Sequence, residues 1–116
     1  TKLAEAAARI EAVDMTEKRV LSALASGRNP GPAPSMLKVQ GTETMQRLDE
    51  IGVELLGEYA RVHQPEAKAP GANVETIGPE DGPVITARYL NNRAASIYGG
   101  SNEVQRNIMA ALVLKL

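Results

Sequence analysis

The residues that could do chemistry are concentrated in one stretch near the end of the chain, SIYGGSNEVQRNIM (Ser96 to Met109). Gly99 and Gly100 favour a break between two helices, and Ser101 stands where a helix N-cap belongs. The first backbone N–H groups of a helix have no partners within it, so a glycine-rich entry can also bind an anion or a flat cofactor. The residues alone leave both interpretations open, a structural helix break or the edge of a ligand site.

Other polar residues give weaker indications of a site. Glu103 and Arg106 lie three positions apart and are expected to pair on a solvated helix face. Arg88 and Arg93 are expected either to be solvated or to bind an acidic ligand or partner. The glycines are not part of a Walker A loop, since no lysine follows them, and no strand precedes them as in a dinucleotide fingerprint.

Composition excludes several classes of function. The 116 residues suffice for one small domain or part of a larger one, and 43% are hydrophobic, which is not a disordered composition. Thirteen basic and 14 acidic residues give a net charge of −1, which argues against a nucleic-acid-binding surface. Without cysteine there is no disulfide, thiolate nucleophile or cysteine-based zinc site, and His63 is the only histidine. No apolar run approaches the ~20 residues that a membrane span needs.

The elements that position these residues are predicted to be helices. Apolar spacing predicts segments at about Lys2–Ser26, Ser35–Tyr59, Pro83–Tyr98 and Ser101 to the end, which is an all-α fold. Ser35 is expected to cap the second segment, while Gly41 and Gly52 suggest close helix approach. The side chains predicted to face inward include Leu3, Ile10, Leu24, Leu55, Val84, Leu90, Ile97, Val104, Ile108 and Leu112.

Two connections contain helix breakers. GRNPGPAP (Gly27 to Pro34) forbids helix and is expected to join the first two segments as an antiparallel hairpin. The stretch from about 61 to 82 is predicted to be a long exposed loop, and loops of that length are usually functional or partly disordered.

The stretch RAASIYGGSNEVQRNIM, continued by LVL (Arg93 to Leu114), resembles the C-terminal signature of acyl-CoA dehydrogenases. That signature has the form Ile-Tyr-(Glu or Gly)-Gly-(Thr or Ser)-x-(Glu or Gln)-(Ile or Val)-Gln-Arg, followed by a helix. Upstream, ALASGRNPGPAPSMLKVQGTETMQRL (Ala23 to Leu48) and IGVELLG (Ile51 to Gly57) agree more loosely. The likeness covers nearly the whole chain except the predicted loop.

The resemblance implies an up-down helical bundle, the C-terminal domain of a bacterial-type flavoprotein. Because the chain starts in a helical pattern without an initiator methionine, we expect residues 1–116 to be a partial domain lacking its first helix. The resemblance further implies FAD as cofactor, dimers or tetramers formed through the bundle, and α,β-dehydrogenation of an acyl-CoA in fatty acid β-oxidation. Electrons would pass to an electron-transfer flavoprotein, and the location would be cytoplasmic.

The resemblance also assigns roles to individual positions. Ser101 and Glu103 match family residues that contact FAD, while Tyr98, Gly99 and Gly100 would line the substrate site. Glu54 and Gly57 fall in ELLGE, where the family has Gln-x-x-Gly-Gly touching the partner subunit's FAD. This chain lacks that glutamine and the second glycine.

Gly99 is the main departure from the family. Many members carry the catalytic Glu there, and glycine cannot take a proton, so no catalytic residue is predicted in this chain. Two explanations stay open: a base on an earlier helix, or a non-catalytic subunit or assembly module of the same fold. A generic helical binding module with an accidental match is a third. We expect the 116 residues alone to be inactive, to bind FAD weakly or not at all, and to self-associate.

Overall fold

The computed structural model describes residues 1–115, and they contain helices and turns but no strand. The prediction of an all-α fold is therefore confirmed. In chain order the elements are α1 Lys2–Ala25, α2 Ala33–Leu56, 3₁₀ turns Gly57–Arg61 and Glu66–Lys68, α3 Gly82–Asn91, a 3₁₀ turn Asn92–Ser96, and α4 Asn102–Leu114.

Helix α1 has the bounds that the sequence predicts within one residue. The Thr1 hydroxyl oxygen accepts a hydrogen bond from the Ala4 N–H at 3.3 Å and so caps the first turn. At the other end Gly27 takes φ +69°, and the Arg28 and Gly27 N–H groups donate to the carbonyls of Ala23 and Leu24. This pair of bonds is a Schellman motif, which satisfies the last carbonyls of the helix.

Helix α2 starts earlier and ends earlier than predicted. It begins at Ala33, so Ser35 lies inside the first turn and the prediction that Ser35 caps the helix is wrong. Pro34 is tolerated because the N–H groups of a first turn have no helical partner anyway. The α-helix ends at Leu56 because Gly57 adopts φ +57°, and the chain continues as the 3₁₀ turn Gly57–Arg61.

Helix α3 is also shorter than predicted. It ends at Asn91 and is followed by the 3₁₀ turn to Ser96, so the predicted single helix to Tyr98 is wrong in its last turns. Helix α4 begins at Asn102, as predicted, with Ser101 as its N-cap.

The chain divides into two compact units. The first contains Thr1–Met45 together with the chain from Ala94 onward, and the second contains Gln46–Arg93. In the first unit the buried aliphatic residues are Ala6, Val20, Val39 and Ala95.

In the second unit a buried carboxylate joins α2 to α3 and the turn after it. Asp49 is 1% exposed and accepts hydrogen bonds from Arg88 Nε and Asn92 Nδ2, both at 2.7 Å. A Cβ at Gly52 would lie 3.0 Å from Ile85 Cγ2, which confirms the close helix approach predicted there. No atom among the described residues lies within 4 Å of a Cβ at Gly41, so the same prediction is wrong at that position.

The connection before α3 is mostly exposed but is held at two points. Gln64 Oε1 accepts from the Ile77 N–H at 2.7 Å, and Gln64 Nε2 donates to the Ile77 carbonyl at 3.1 Å. The Tyr59 ring packs on Gly78, where a Cβ would lie 2.5 Å from the ring.

Many apolar side chains predicted to face inward are exposed. Leu55 is 71% exposed and Leu56 is buried in its place, so the predicted register of this turn is wrong. The other predicted inward residues that are exposed are Leu3, Ile10, Leu24, Val84, Leu90, Ile97, Val104, Ile108 and Leu112. These side chains are not covered by the part of the chain that the structure describes.

Within residues 1–115, no helix combines the length and the apolar character that crossing a membrane requires.

Candidate functional site

The candidate site is the turn between the 3₁₀ segment Asn92–Ser96 and α4. Gly99 and Gly100 take φ +67° and +79°, the left-handed region that glycine enters without steric cost. Tyr98 precedes them and is 57% exposed. The Ser101 hydroxyl oxygen accepts from the Val104 N–H at 3.3 Å, so this side chain both caps α4 and borders the turn.

Lys38 of α2 holds the two sides of this turn together. Its ammonium group donates to the Ala95 carbonyl at 3.1 Å and to the Asn102 side-chain oxygen at 2.9 Å. Ala95 and Asn102 are both buried. The two ends of the glycine turn are thus fixed by one cation from another helix.

Two residues of α4 add further restraints. Gln105 Nε2 donates to the Gly99 carbonyl at 3.2 Å, which closes the turn from the helix side. Arg106 Nη2 donates to Glu43 Oε1 on α2 at 2.6 Å. The predicted ion pair between Glu103 and Arg106 is therefore replaced by a pair across two helices.

Glu103 lies exposed in the first turn of α4 and carries the carboxylate of the site. Its own backbone N–H and then the Ser101 hydroxyl lower the pKa of the Glu103 carboxyl, with smaller contributions from the positive charges of Arg106 and Lys38. The group is consequently an acceptor of hydrogen bonds at neutral pH.

Gly99 leaves open space at the centre of the turn. A Cβ at this position would meet no described atom within 4 Å. The turn therefore has room for a side chain or a ligand, and Gly99 itself supplies no group that takes up a proton.

The remaining two predicted site residues lie in the second unit. Glu54 is near the end of α2, with Oε1 3.9 Å from Arg47 Nη1, and Gly57 is exposed at the junction with the 3₁₀ turn. The other five predicted site residues lie close together in the sequence of the first unit: Tyr98, Gly99, Gly100, Ser101 and Glu103. Glu54 and Gly57 belong to the other unit.

Sequence reasoning missed the residues that support the site. No role is predicted from the sequence for Lys38, Asn102 or Gln105. The one available signal is the position of Lys38 after Ser-Met-Leu in the stretch that resembles the family. Arg88 and Arg93, expected to be solvated or to bind a ligand, pair with Asp49 and with Glu50, the latter at 3.3 Å.

Residues 1–115 contain no cluster of three or more His, Asp or Glu side chains that could hold a metal ion.

Comparison with known families identifies nearly the whole chain. The family model described as "Acyl-CoA dehydrogenase, C-terminal domain" matches residues 1–114. No curated protein and no solved structure matches the chain significantly.

Proposed function

Since the chain belongs to the family of acyl-CoA dehydrogenase C-terminal domains, we propose that it serves an FAD-dependent acyl-CoA dehydrogenase. In such an enzyme it contributes contacts to FAD, lines the thioester site and takes part in subunit assembly. The observation that carries the proposal is the exposed Gly99–Gly100 turn, which leads directly into the Ser101-capped start of α4.

The residues of the turn fit a flavin nucleotide. The oxygen of Ser101 accepts the Val104 N–H, and its hydroxyl interacts with the Glu103 carboxyl, so these two side chains would meet a ligand together. The Glu103 carboxylate, with its lowered pKa, suits the hydroxyl groups of a ribityl chain or ribose better than a phosphate, which it would repel. Gly99 allows a flat group to approach the backbone, whereas the Cβ position of Gly100 lies 2.6 Å from Gln105 Nε2 and is therefore covered.

In the proposed reaction the thioester substrate loses its α proton to a base, and bound FAD supplies the acceptor for the β hydride. Within the chain, Tyr98 and the two glycines would border the substrate, and Lys38 and Gln105 keep the turn in place. Because Gly99 has no side chain, we propose that the base comes from outside the turn. Glu103 acts as a cofactor contact in this scheme.

Glu54 and Gly57 are proposed to lie at the FAD of a partner subunit. Both are exposed, which leaves them accessible to a second chain. The departure from the family's Gln-x-x-Gly-Gly pattern means that a carboxylate replaces an amide, so this contact would accept but not donate hydrogen bonds.

Subunit assembly is supported by the uncovered apolar side chains of α4. Val104, Ile108 and Leu112 are 48%, 40% and 57% exposed and recur at helical spacing, so they form one stripe. Apolar patches of this kind usually mark interaction surfaces. We expect Leu112→Gln to shift the protein toward smaller species in sedimentation, whereas Glu80→Gln in the exposed connection leaves the distribution unchanged.

A second candidate is a subunit that assembles with a catalytic partner and does no chemistry itself. Gly99 favours it, because the turn offers no base. Electron transfer to an electron-transfer flavoprotein and a cytoplasmic location remain predictions that derive from the family resemblance.

The deciding experiment is a flavin titration of the full-length protein. We expect a bound flavin spectrum that an acyl-CoA bleaches, and weaker FAD binding in Ser101→Ala and Glu103→Gln. Ser26→Ala, an exposed hydroxyl at the end of α1, is the matched control and should bind FAD normally. Protein that is purified without flavin and takes up none would exclude the proposal. Flavin binding without bleaching would favour the assembling subunit.

A further inference from the structure

A second surface of the first unit has the character of a ligand site and shares no residue with the glycine turn. It is a groove of about 620 Å³ beside the connection between α1 and α2. Helix α1 contributes Arg19 and Ser22, the connection contributes Arg28 and Asn29, and α2 contributes Met36. Its volume falls within the range of about 300–1,000 Å³ that is typical of small-molecule sites.

The groove is cationic although the chain as a whole is not. Three basic residues line it, and none of its described lining residues is acidic, whereas the net charge of the chain is −1. Lys18 pairs with Asp14, whose carboxylate lies 2.5 Å from its ammonium. Within residues 1–115, Arg19 and Arg28 form no side-chain hydrogen bond or ion pair. Neither guanidinium group is therefore paired with a carboxylate of the described residues.

The backbone that carries these groups is fixed. Arg19 lies within α1, and the N–H of Arg28 donates to the Ala23 carbonyl at 2.9 Å as part of the Schellman motif. Asn29 Oδ1 accepts from the Gly31 N–H at 2.9 Å, which orders the connection and leaves the Asn29 amide protons available. The backbones of Arg19, Arg28 and Asn29 are therefore already ordered, which lowers the conformational entropy that the protein loses when a ligand binds.

The remaining lining is apolar. Val20 is buried, and Ala23, Ala33 and Met36 are half-buried along the same groove. An inorganic anion alone would leave this side of the groove in contact with water. A ligand that joins an anionic group to an organic body would use both sides.

We propose that this groove binds a small organic phosphate. Guanidinium groups match the geometry of phosphate oxygens, and two of them suit a dianionic phosphate monoester better than a single carboxylate. The organic part of the ligand would lie against the alanine and methionine side chains. This site is independent of the proposed flavin contacts.

The test is a calorimetric titration of the full-length protein with AMP, inorganic phosphate, adenosine and succinate. We expect AMP to bind at one site in the groove, inorganic phosphate to bind more weakly, and adenosine not to bind measurably. Arg19→Gln and Arg28→Gln should each weaken AMP binding about tenfold or more, because each removes a charge-assisted contact. Both side chains are exposed and unpaired, so the melting temperatures of these variants should match that of the parent.

The matched control is Arg61→Gln. Arg61 is an exposed arginine of the second unit that pairs with Glu58, and its removal changes the net charge equally. AMP affinity should stay within about twofold of the parent in this variant and in Ser101→Ala. AMP binding that is absent, or unaffected by both groove variants, would overturn the proposal. Succinate binding as tight as that of AMP would overturn the assignment to phosphate.

Discussion

The Lys38 ammonium donates to the side-chain oxygen of Asn102 at 2.9 Å, although the two residues are 64 positions apart. The same ammonium donates to the Ala95 carbonyl. A residue of α2 thus fixes the segments on both sides of the candidate flavin turn.

Replacing Lys38 by methionine should destabilise the protein by about 1–3 kcal/mol, because two buried acceptors lose their donor while the volume of the side chain is nearly kept. Urea unfolding followed by circular dichroism measures the change. Lys68→Met, at an exposed position in a 3₁₀ turn, is the control and should have little effect. Equal unfolding midpoints for the two variants would show that the Lys38 bonds do not stabilise the turn.

Asp49→Asn should also destabilise the protein by about 1–3 kcal/mol, because one amide group would face two donors where a carboxylate had accepted both. The affected donors are Arg88 Nε and Asn92 Nδ2. Glu58→Gln breaks an exposed pair with Arg61 and should cost only about 0–1 kcal/mol. An unfolding free energy for Asp49→Asn as high as that for Glu58→Gln would contradict the role given to the buried carboxylate.

Acid should weaken the fold partly through Glu50. The hydrogen bond from Arg47, followed by that from Arg93, holds the pKa of Glu50 below its ordinary value of 4.5, although partial burial acts in the opposite direction. Because the pKa of Glu50 is lower in the folded state than in the unfolded state, the ionised carboxylate stabilises the fold at pH values above the unfolded-state pKa of about 4.5. This stabilisation is lost as the pH falls from there through the folded-state pKa.

Unfolding measured between pH 6 and pH 3 should accordingly show a shallower acid dependence for Glu50→Gln than for the parent protein. Glu75→Gln, which removes an exposed carboxylate of the long connection, is the control. An acid dependence that Glu50→Gln leaves unchanged would mean that the two arginines do not stabilise the ionised form.

Gly78 and Gly71 provide a matched pair for separating backbone strain from steric clash. Both have positive φ, +85° and +75°, but a Cβ at Gly78 would lie 2.5 Å from the Tyr59 ring, whereas no described atom lies within 4 Å of one at Gly71. Gly71→Ala should cost about 1–2 kcal/mol from strain alone. Gly78→Ala should cost about 1–3 kcal/mol more, because the ring must move. Thermal unfolding of both variants tests this, and equal losses would indicate that the ring shifts freely.

The sequence predicted the helices well where periodic apolar residues and terminal signals agree. Gly27 follows the end of α1 and Ser101 caps the start of α4, and each residue determines the helix end through hydrogen bonds to residues only a few positions away. The end of α3 was misjudged because the spacing of apolar residues continues to Ile97, although the backbone changes from α to 3₁₀ at Asn92. Periodicity does not distinguish these two helices over a single turn.

The supporting contacts of the site were beyond sequence reasoning. The pairing of Arg106 with Glu43 spans 63 positions, and the local alternative Glu103 was the only partner that spacing could suggest. Burial was misjudged for a related reason. A stripe such as Val104, Ile108 and Leu112 shows that a helix has an apolar face, but the pattern does not say which surface covers it.

The Gln64 side chain bonds both the N–H and the carbonyl of Ile77, much as a neighbouring strand would. These two hydrogen bonds hold Gln64 and Ile77 together, so residues 65–76 form a closed loop whose two ends stay in place when its length changes. The entropy of closing such a loop grows only slowly with its length. The part of this segment that follows the 3₁₀ turn Glu66–Lys68 is therefore where the protein can accept insertions, and a short Gly-Ser insertion after Ala72 should leave the unfolding midpoint almost unchanged. An insertion at this point leaves the 3₁₀ turn Glu66–Lys68, which contacts α3, in place.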